Sequence, residues 1–112
     1  YTTLFRSKKY MYSVLEKVGL EPRSKIPVGK YSLGMRQRLA IGQAIMENPD
    51  ILILDEPMNG LDKNGVQEMR GLFEQMKNEG KLVILASHNR EDIDVLCDEV
   101  YEMENGILKK RR

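Results

Sequence analysis

Ile51-Leu52-Ile53-Leu54-Asp55-Glu56-Pro57 decides how the rest of the chain is read. Four consecutive apolar residues after the turn-forming Asn48-Pro49-Asp50 form the pattern of a strand buried on both faces, as in parallel sheets. Two carboxylates stand directly after it, at the carboxyl end where open α/β sheets gather ligands. Adjacent carboxylates there can divide two tasks: one holds a divalent cation through water, and the next faces a water that attacks a phosphate. Taken alone, the same residues would serve equally as a polar turn after a strand.

On the amino-terminal side, Met11, Val14, Leu15 and Val18 recur at helical spacing between Ser7 and Val18, and Gly19 stands where that helix would stop. Leu20 to Lys30, with two prolines and a glycine, reads as a connecting loop. Gly34 to Glu47 reads as a helix with Leu39, Ile41, Ala44, Ile45 and Met46 at its apolar positions, ended by Asn48-Pro49. On the other side, Asn64 to Glu79 is amphipathic, with Val66, Met69, Leu72, Phe73 and Met76 on one face and Gly80 at its end. Leu82 to Ala86 reads as a second buried strand, and a short helix over Glu91 to Cys97 turns Ile93, Leu96 and Cys97 inward. Glu99 to Met103 and Ile107 to Lys109 flank Asn105-Gly106, a two-residue hairpin signal that places an antiparallel pair at the sheet edge. Helices alternating with apolar strands predict an α/β fold with a mostly parallel sheet.

The 112 residues suffice for one small domain, and 41% hydrophobic with 31% charged residues is the composition of a globular chain. A net charge of +1 gives no general attraction to nucleic acid or membrane. One cysteine, Cys97, excludes an internal disulfide and reads as an inert thiol; Met11, Met69 and Met76 read as core fillers. The longest apolar runs, Ile51 to Leu54 and Leu82 to Ala86, fall far short of the ~20 residues of a spanning helix. Tyr1 to Tyr12, polar and with three basic residues, does not read as a signal peptide, and a start at Tyr1 suggests part of a longer protein.

Around the Asp55-Glu56 pair three further motifs stand in order. Tyr31-Ser32-Leu33-Gly34-Met35-Arg36-Gln37-Arg38 opens a helix with a small hydroxyl and free N–H groups, a natural phosphate site. Asn59-Gly60-Leu61-Asp62 comes after the carboxylates, and Ser87-His88 ends the next apolar strand. The set resembles the ATP-binding-cassette (ABC) ATPases in their signature sequence, Walker B strand with its glutamate, D-loop and switch histidine, over about Tyr31 to Gly106. The resemblance implies a partial P-loop NTPase core, with residues 1–33 part of the helical subdomain and the loop leading to the signature, and 34–112 the rear of the ATPase core.

It also implies roles. Asp55 would be the carboxylate for Mg²⁺, Glu56 would polarise the attacking water, and His88 would contact the γ-phosphate of ATP. Asp62 and Asn59-Gly60-Leu61 would lie between two ATPase subunits, and Ser32 and Gly34 would contact ATP held by the opposite subunit. Bland readings stand beside these: a solvated loop for His88, and a helix N-cap for Asp62. The usual Leu-Ser-Gly-Gly-Gln is here Tyr31-Ser32-Leu33-Gly34-Met35, a form similar to bacterial drug and bacitracin-type exporters. A non-transport relative of the family, such as a chromosome-maintenance or translation-factor ATPase, is one alternative, against which Leu33 and Met35 weigh; a natural truncated binding module is the other.

A phosphate loop needs Gly-x-x-x-x-Gly-Lys-Ser/Thr. Gly29-Lys30 and Gly80-Lys81 are followed by Tyr31 and Leu82, with Ser24 and Gln75 where the first glycine belongs, so neither pair qualifies. The expectation is therefore the C-terminal part of an exporter ATPase that binds ATP and Mg²⁺ weakly by itself and does not hydrolyse ATP alone. Its parent would work as a dimer with a transmembrane permease, at the cytoplasmic face of the membrane, with no nucleic-acid partner. Without a neighbouring strand, Leu82 to Ala86 would present an open edge, met either by self-association or by Glu99 to Met103 moving over to pair with it.

Overall fold

The computed structural model describes residues 7–112, so the first six residues of the expected 1–33 segment lie outside the described part. In chain order it contains α1 (Lys8–Lys17), α2 (Leu33–Ile45), β1 (Ile51–Asp55), α3 (Lys63–Asn78), β2 (Leu82–Ala86), α4 (Arg90–Leu96), β3 (Tyr101–Glu104) and β4 (Ile107–Lys110), with a 3₁₀ turn at Val28–Lys30 before α2. This is the expected α/β order with a parallel pair and a C-terminal antiparallel hairpin.

Each helix begins where a side chain supplies an acceptor for an orphan N–H. Ser7 Oγ accepts from the Tyr10 amide at 3.1 Å, Ser32 Oγ from Met35 at 3.1 Å, Asp62 Oδ1 from Gly65 at 2.8 Å and Asn89 Oδ1 from Asp92 at 3.0 Å. At the far ends, Gly19 and Gly80 take φ of 80° and 87°, the left-handed turn that lets α1 and α3 stop. Arg38, on α2, donates from Nη1 to the Val18 carbonyl at the end of α1 (3.0 Å) and to Glu68 of α3 (2.6 Å). One guanidinium thus joins three helices. The Tyr10 hydroxyl adds a further tie, donating to the Met46 carbonyl just past α2.

The core is a cluster that includes Val14 and Val18 of α1, Ile41 and Ile45 of α2, Leu52 and Leu54 of β1, and Met69, Phe73 and Met76 of α3. Residues on both sides of the 33/34 boundary share it. Gly42 permits the α1–α2 approach, since a Cβ there would lie 3.3 Å from Val18 Cγ2. The parallel register pairs Ile51 with Leu82 through Asp55 with Ala86, and α3 makes the crossover.

The strands depart from the expectation of burial on both faces. Leu52 and Leu54 are buried, but Ile51 and Ile53 are 58% and 71% exposed, and in β2 Leu82 and Ile84 are 55% and 47% exposed. The helices cover one face of the pair, so alternate side chains of an all-apolar run stand bare. The hairpin also differs from the expected edge. β3 and β4 pair only with each other, Tyr101 with Lys110 through Glu104 with Ile107, in a separate two-stranded sheet. Glu99 to Met103 therefore does not close onto β2, and among the described residues no strand pairs with the second edge of β2. Asn105 and Gly106, at φ of 51° and 75°, form the expected tight turn. Met69 and Met76 fill the core as expected, whereas Met11 is exposed and Cys97 only partly covered.

The one-sided burial makes a test. Leu54→Ala is expected to cost about 2–5 kcal/mol and Ile53→Ala under about 0.5 kcal/mol in urea unfolding. Equal costs would show that the bare face is covered in solution.

Candidate functional site

The β1–β2 register sets the centre of the site. Asp55, exposed, ends β1 opposite Ala86, and the Glu56 amide continues the ladder by donating to the Ala86 carbonyl at 2.8 Å. The chain then turns sharply. Glu56 takes φ of 47°, a left-handed conformation unfavourable for a side chain of this size and frequent at functional sites. Its carbonyl accepts two hydrogen bonds, from the Asn59 amide at 3.2 Å and from Gln37 Nε2 at 3.0 Å. Its carboxylate is held as well: Oε1 accepts from the His88 backbone N–H at 2.8 Å and lies 3.8 Å from His88 Nε2. The imidazole itself is fully exposed.

The strand ends thus bring Glu56 and His88 together beside Asp55, at the carboxyl edge of the parallel pair. A carboxylate whose one oxygen is fixed by a backbone N–H, next to an exposed imidazole, can orient a water and accept its proton.

The residues expected to form the signature make a second group. Ser32 caps α2 with its oxygen, which leaves the hydroxyl hydrogen to donate outward. Gly34 and Gly60 interlock: a Cβ on Gly34 would fall 2.8 Å from the Gly60 carbonyl oxygen, and one on Gly60, at φ of 82°, would fall 2.6 Å from Leu33 Cγ. Leu33, where the usual signature has glycine, therefore packs its side chain over the D-loop-like segment. Asp62 is the N-cap of α3 by geometry, which realises the bland reading of that residue. Ser32 and Gly34 belong to this group with Gly60 and Asp62, and Gln37 is the side chain of α2 that reaches from it to Glu56.

Sequence reasoning missed the residues that hold this arrangement. Asp92, 1% exposed, accepts from Arg70 Nε at 2.9 Å and Nη2 at 2.6 Å, while its own amide donates to Asn89 Oδ1. This buried ion pair fastens the start of α4 to α3, and with it the turn that carries His88. A hydrophilic Glu91-Asp92-Ile93-Asp94 run gives no local sign of which acid turns inward. Nearby, burial pushes the Cys97 thiol up, Asp98 adding to it and Arg112 and Lys77 opposing, so the thiol stays protonated at neutral pH.

Mg²⁺ and a triphosphate fit this site only in part. Among the described residues no three of His, Cys, Asp or Glu cluster to hold a metal. Asp55 can supply one carboxylate to a cation otherwise held by water and phosphate oxygens, which is how Mg²⁺ is commonly bound. Neither Gly-Lys pair can cradle phosphates: Gly29-Lys30 lies in the 3₁₀ turn, and Gly80-Lys81 leads into the amino end of β2, opposite the carboxylates.

Known proteins resemble this chain in sequence and in fold. A model of the ABC transporter family matches residues 3–59. The uncharacterized ABC transporter ATP-binding protein YybJ of Bacillus subtilis is 48% identical over 95 residues, 85% of this chain and 44% of that protein. The bacitracin transport ATP-binding protein of Bacillus licheniformis is 45% identical over 102 residues, covering 90% and 33% of the two chains. The lantibiotic transport ATP-binding protein of Streptococcus pyogenes is 43% identical over 111 residues, covering 97% and 48%. The chain thus spans less than half the length of these relatives. The dimeric structure of a bacterial ABC transporter cassette superposes with a TM-score of 0.80 at 25% identity, over 93% of this chain and 47% of that one. The same cassette, dimeric in a post-hydrolysis state bound to ADP and Pi, gives a TM-score of 0.81.

The Arg70–Asp92 pair yields an expected outcome. Arg70→Ala strands a buried carboxylate and should cost about 3–5 kcal/mol, whereas Arg70→Met combined with Asp92→Leu should be close to neutral. Denaturant unfolding of both variants checks this, and equal losses in the two would refute it.

Proposed function

This chain belongs to the ABC transporter family, and from that premise we propose that its Glu56–His88 pair is the hydrolytic centre of an ATPase completed by sequence beyond these residues. The observation that carries the reading is Glu56 at the carboxyl end of β1, its Oε1 2.8 Å from the His88 amide. Glu56 orients the attacking water and takes up its proton. His88, exposed beside it, contacts the γ-phosphate. Asp55 holds Mg²⁺, which when bound neutralises phosphate charge. Ser32 and Gly34 offer a hydroxyl and helix N–H groups to ATP held by a second subunit, and Asp62 with the Asn59-Gly60-Leu61 segment lies between the subunits.

Among the described residues the site lacks a phosphate cradle, so residues 1–112 alone bind ATP weakly and do not turn it over. Residues 1–33 are part of a helical subdomain with the loop leading to the signature, and 34–112 are the C-terminal part of the ATPase core. The complete protein works as a dimer and drives a membrane permease in export, lying peripherally on the cytoplasmic face of the membrane; the bacitracin and lantibiotic transport relatives support this reading. No helix among the described residues is long and apolar enough to cross a membrane. The bare apolar face and open edge of β2 would be covered in the complete protein, and on the isolated chain they favour self-association.

Steady-state ATP turnover tests the proposal. In a cassette that supplies the missing phosphate loop, Glu56→Gln should lower turnover by about 10²-fold or more with ATP binding retained. The 112-residue chain should show no turnover above its own Glu56→Gln variant. Full activity of the Glu56→Gln cassette would overturn the assignment.

A further inference from the structure

We infer that Gln37 is a positioning residue that holds Glu56 in its left-handed turn and ties the signature helix mechanically to the carboxylate. Three observations carry this. Glu56 is a non-glycine residue at φ of 47°, so its conformation must be imposed by its surroundings. Its carbonyl, with two lone pairs, accepts from the Asn59 amide and from Gln37 Nε2, at 3.2 and 3.0 Å. The remaining contacts, the Glu56 amide to Ala86 and Oε1 to the His88 amide, fix the residue to β2 and the turn after it. Gln37 is the α2 side chain that hydrogen-bonds to it.

The placement on α2 gives the contact its meaning. Gly34 and Gln37 are three residues apart and lie on one face of the helix. The first abuts the Gly60 carbonyl and the second binds the Glu56 carbonyl, so two successive turns of α2 grip both ends of the 56–60 loop. A small rotation or shift of α2, such as a ligand at its N-terminus would produce, moves Gln37 and with it the backbone that aims the Glu56 carboxylate. Where the proposed function assigns Ser32 and Gly34 to a nucleotide on another subunit, Gln37 becomes the route by which that occupancy reaches Glu56. The consequence rests on that reading; the contact and its hold on the turn do not.

Amide hydrogen exchange on the 112-residue chain tests the hold without any nucleotide. Gln37→Met keeps the side-chain length and removes the donor. The Asn59 and His88 amides should then exchange roughly fivefold or more faster, relative to Met69 and Phe73 in α3, as expected for a lost hydrogen bond. In a Glu56→Gly background, where positive φ carries no penalty, Gln37→Met should leave Asn59 exchange nearly unchanged. Gln37→Lys, which restores a donor, should recover part of the protection in the parent sequence. Unchanged Asn59 and His88 exchange in Gln37→Met would overturn the proposal, as would an equal acceleration at Met69 and Phe73. If the exchange results hold while a Glu56→Gln cassette stays active, Gln37 still positions the turn and the hydrolytic reading of Glu56 alone fails.

Discussion

Everything at the candidate site depends on the parallel register of β1 and β2. A one-residue slip would turn Leu52 and Leu54 out of the core and carry Glu56 away from the turn after β2. The register is fixed from both sides: the alternation of buried Leu52 and Leu54 against the α2–α3 core, and the terminal hydrogen bonds from Leu82 to Asp50 and from Glu56 to Ala86. Given that pairing, two strands that end together hold the next residues of each close to one another. Those residues are a carboxylate pair at the end of β1 and a histidine just beyond β2.

Around this frame, three side chains do the holding at a distance. Arg38 satisfies the end of α1 and pairs with α3, Arg70 buries against Asp92 to seat α4, and Gln37 reaches from α2 to the Glu56 carbonyl. All three lie on helices and act across the fold. They join the helix that begins with Ser32 to the strand ends that carry Asp55, Glu56 and His88. The two groups of candidate residues are thereby parts of one hydrogen-bonded body.

Much of the fold was legible because its signals are local. Ser32, Asp62 and the Asn105-Gly106 turn act within four residues of themselves, and the apolar runs announce their strands directly. The sidedness of those strands was not legible. Ile51-Leu52-Ile53-Leu54 looks the same whether one face or both are covered, and only the number of layers decides, which is a property of the packing. The site was legible as a set of motifs, Asp55-Glu56 with Ser87-His88, but not as a geometry. Neither the left-handed Glu56 nor its grip by Gln37 has a local sequence signature, since Glu is a poor choice for positive φ and Gln37 reads as an ordinary polar helix position. The inward turn of Asp92 was hidden for the same reason: its partner stands 22 residues away.

The register itself can be observed directly. Scalar couplings transmitted through hydrogen bonds, measured by NMR on the isotopically labelled 112-residue chain, connect each donor nitrogen with its acceptor carbonyl carbon. Coupling is expected from the Glu56 amide to the Ala86 carbonyl and from the Leu82 amide to the Asp50 carbonyl. Coupling of the Glu56 amide to any other carbonyl, or a pairing of β1 and β2 shifted by a residue, would contradict the register on which the site depends.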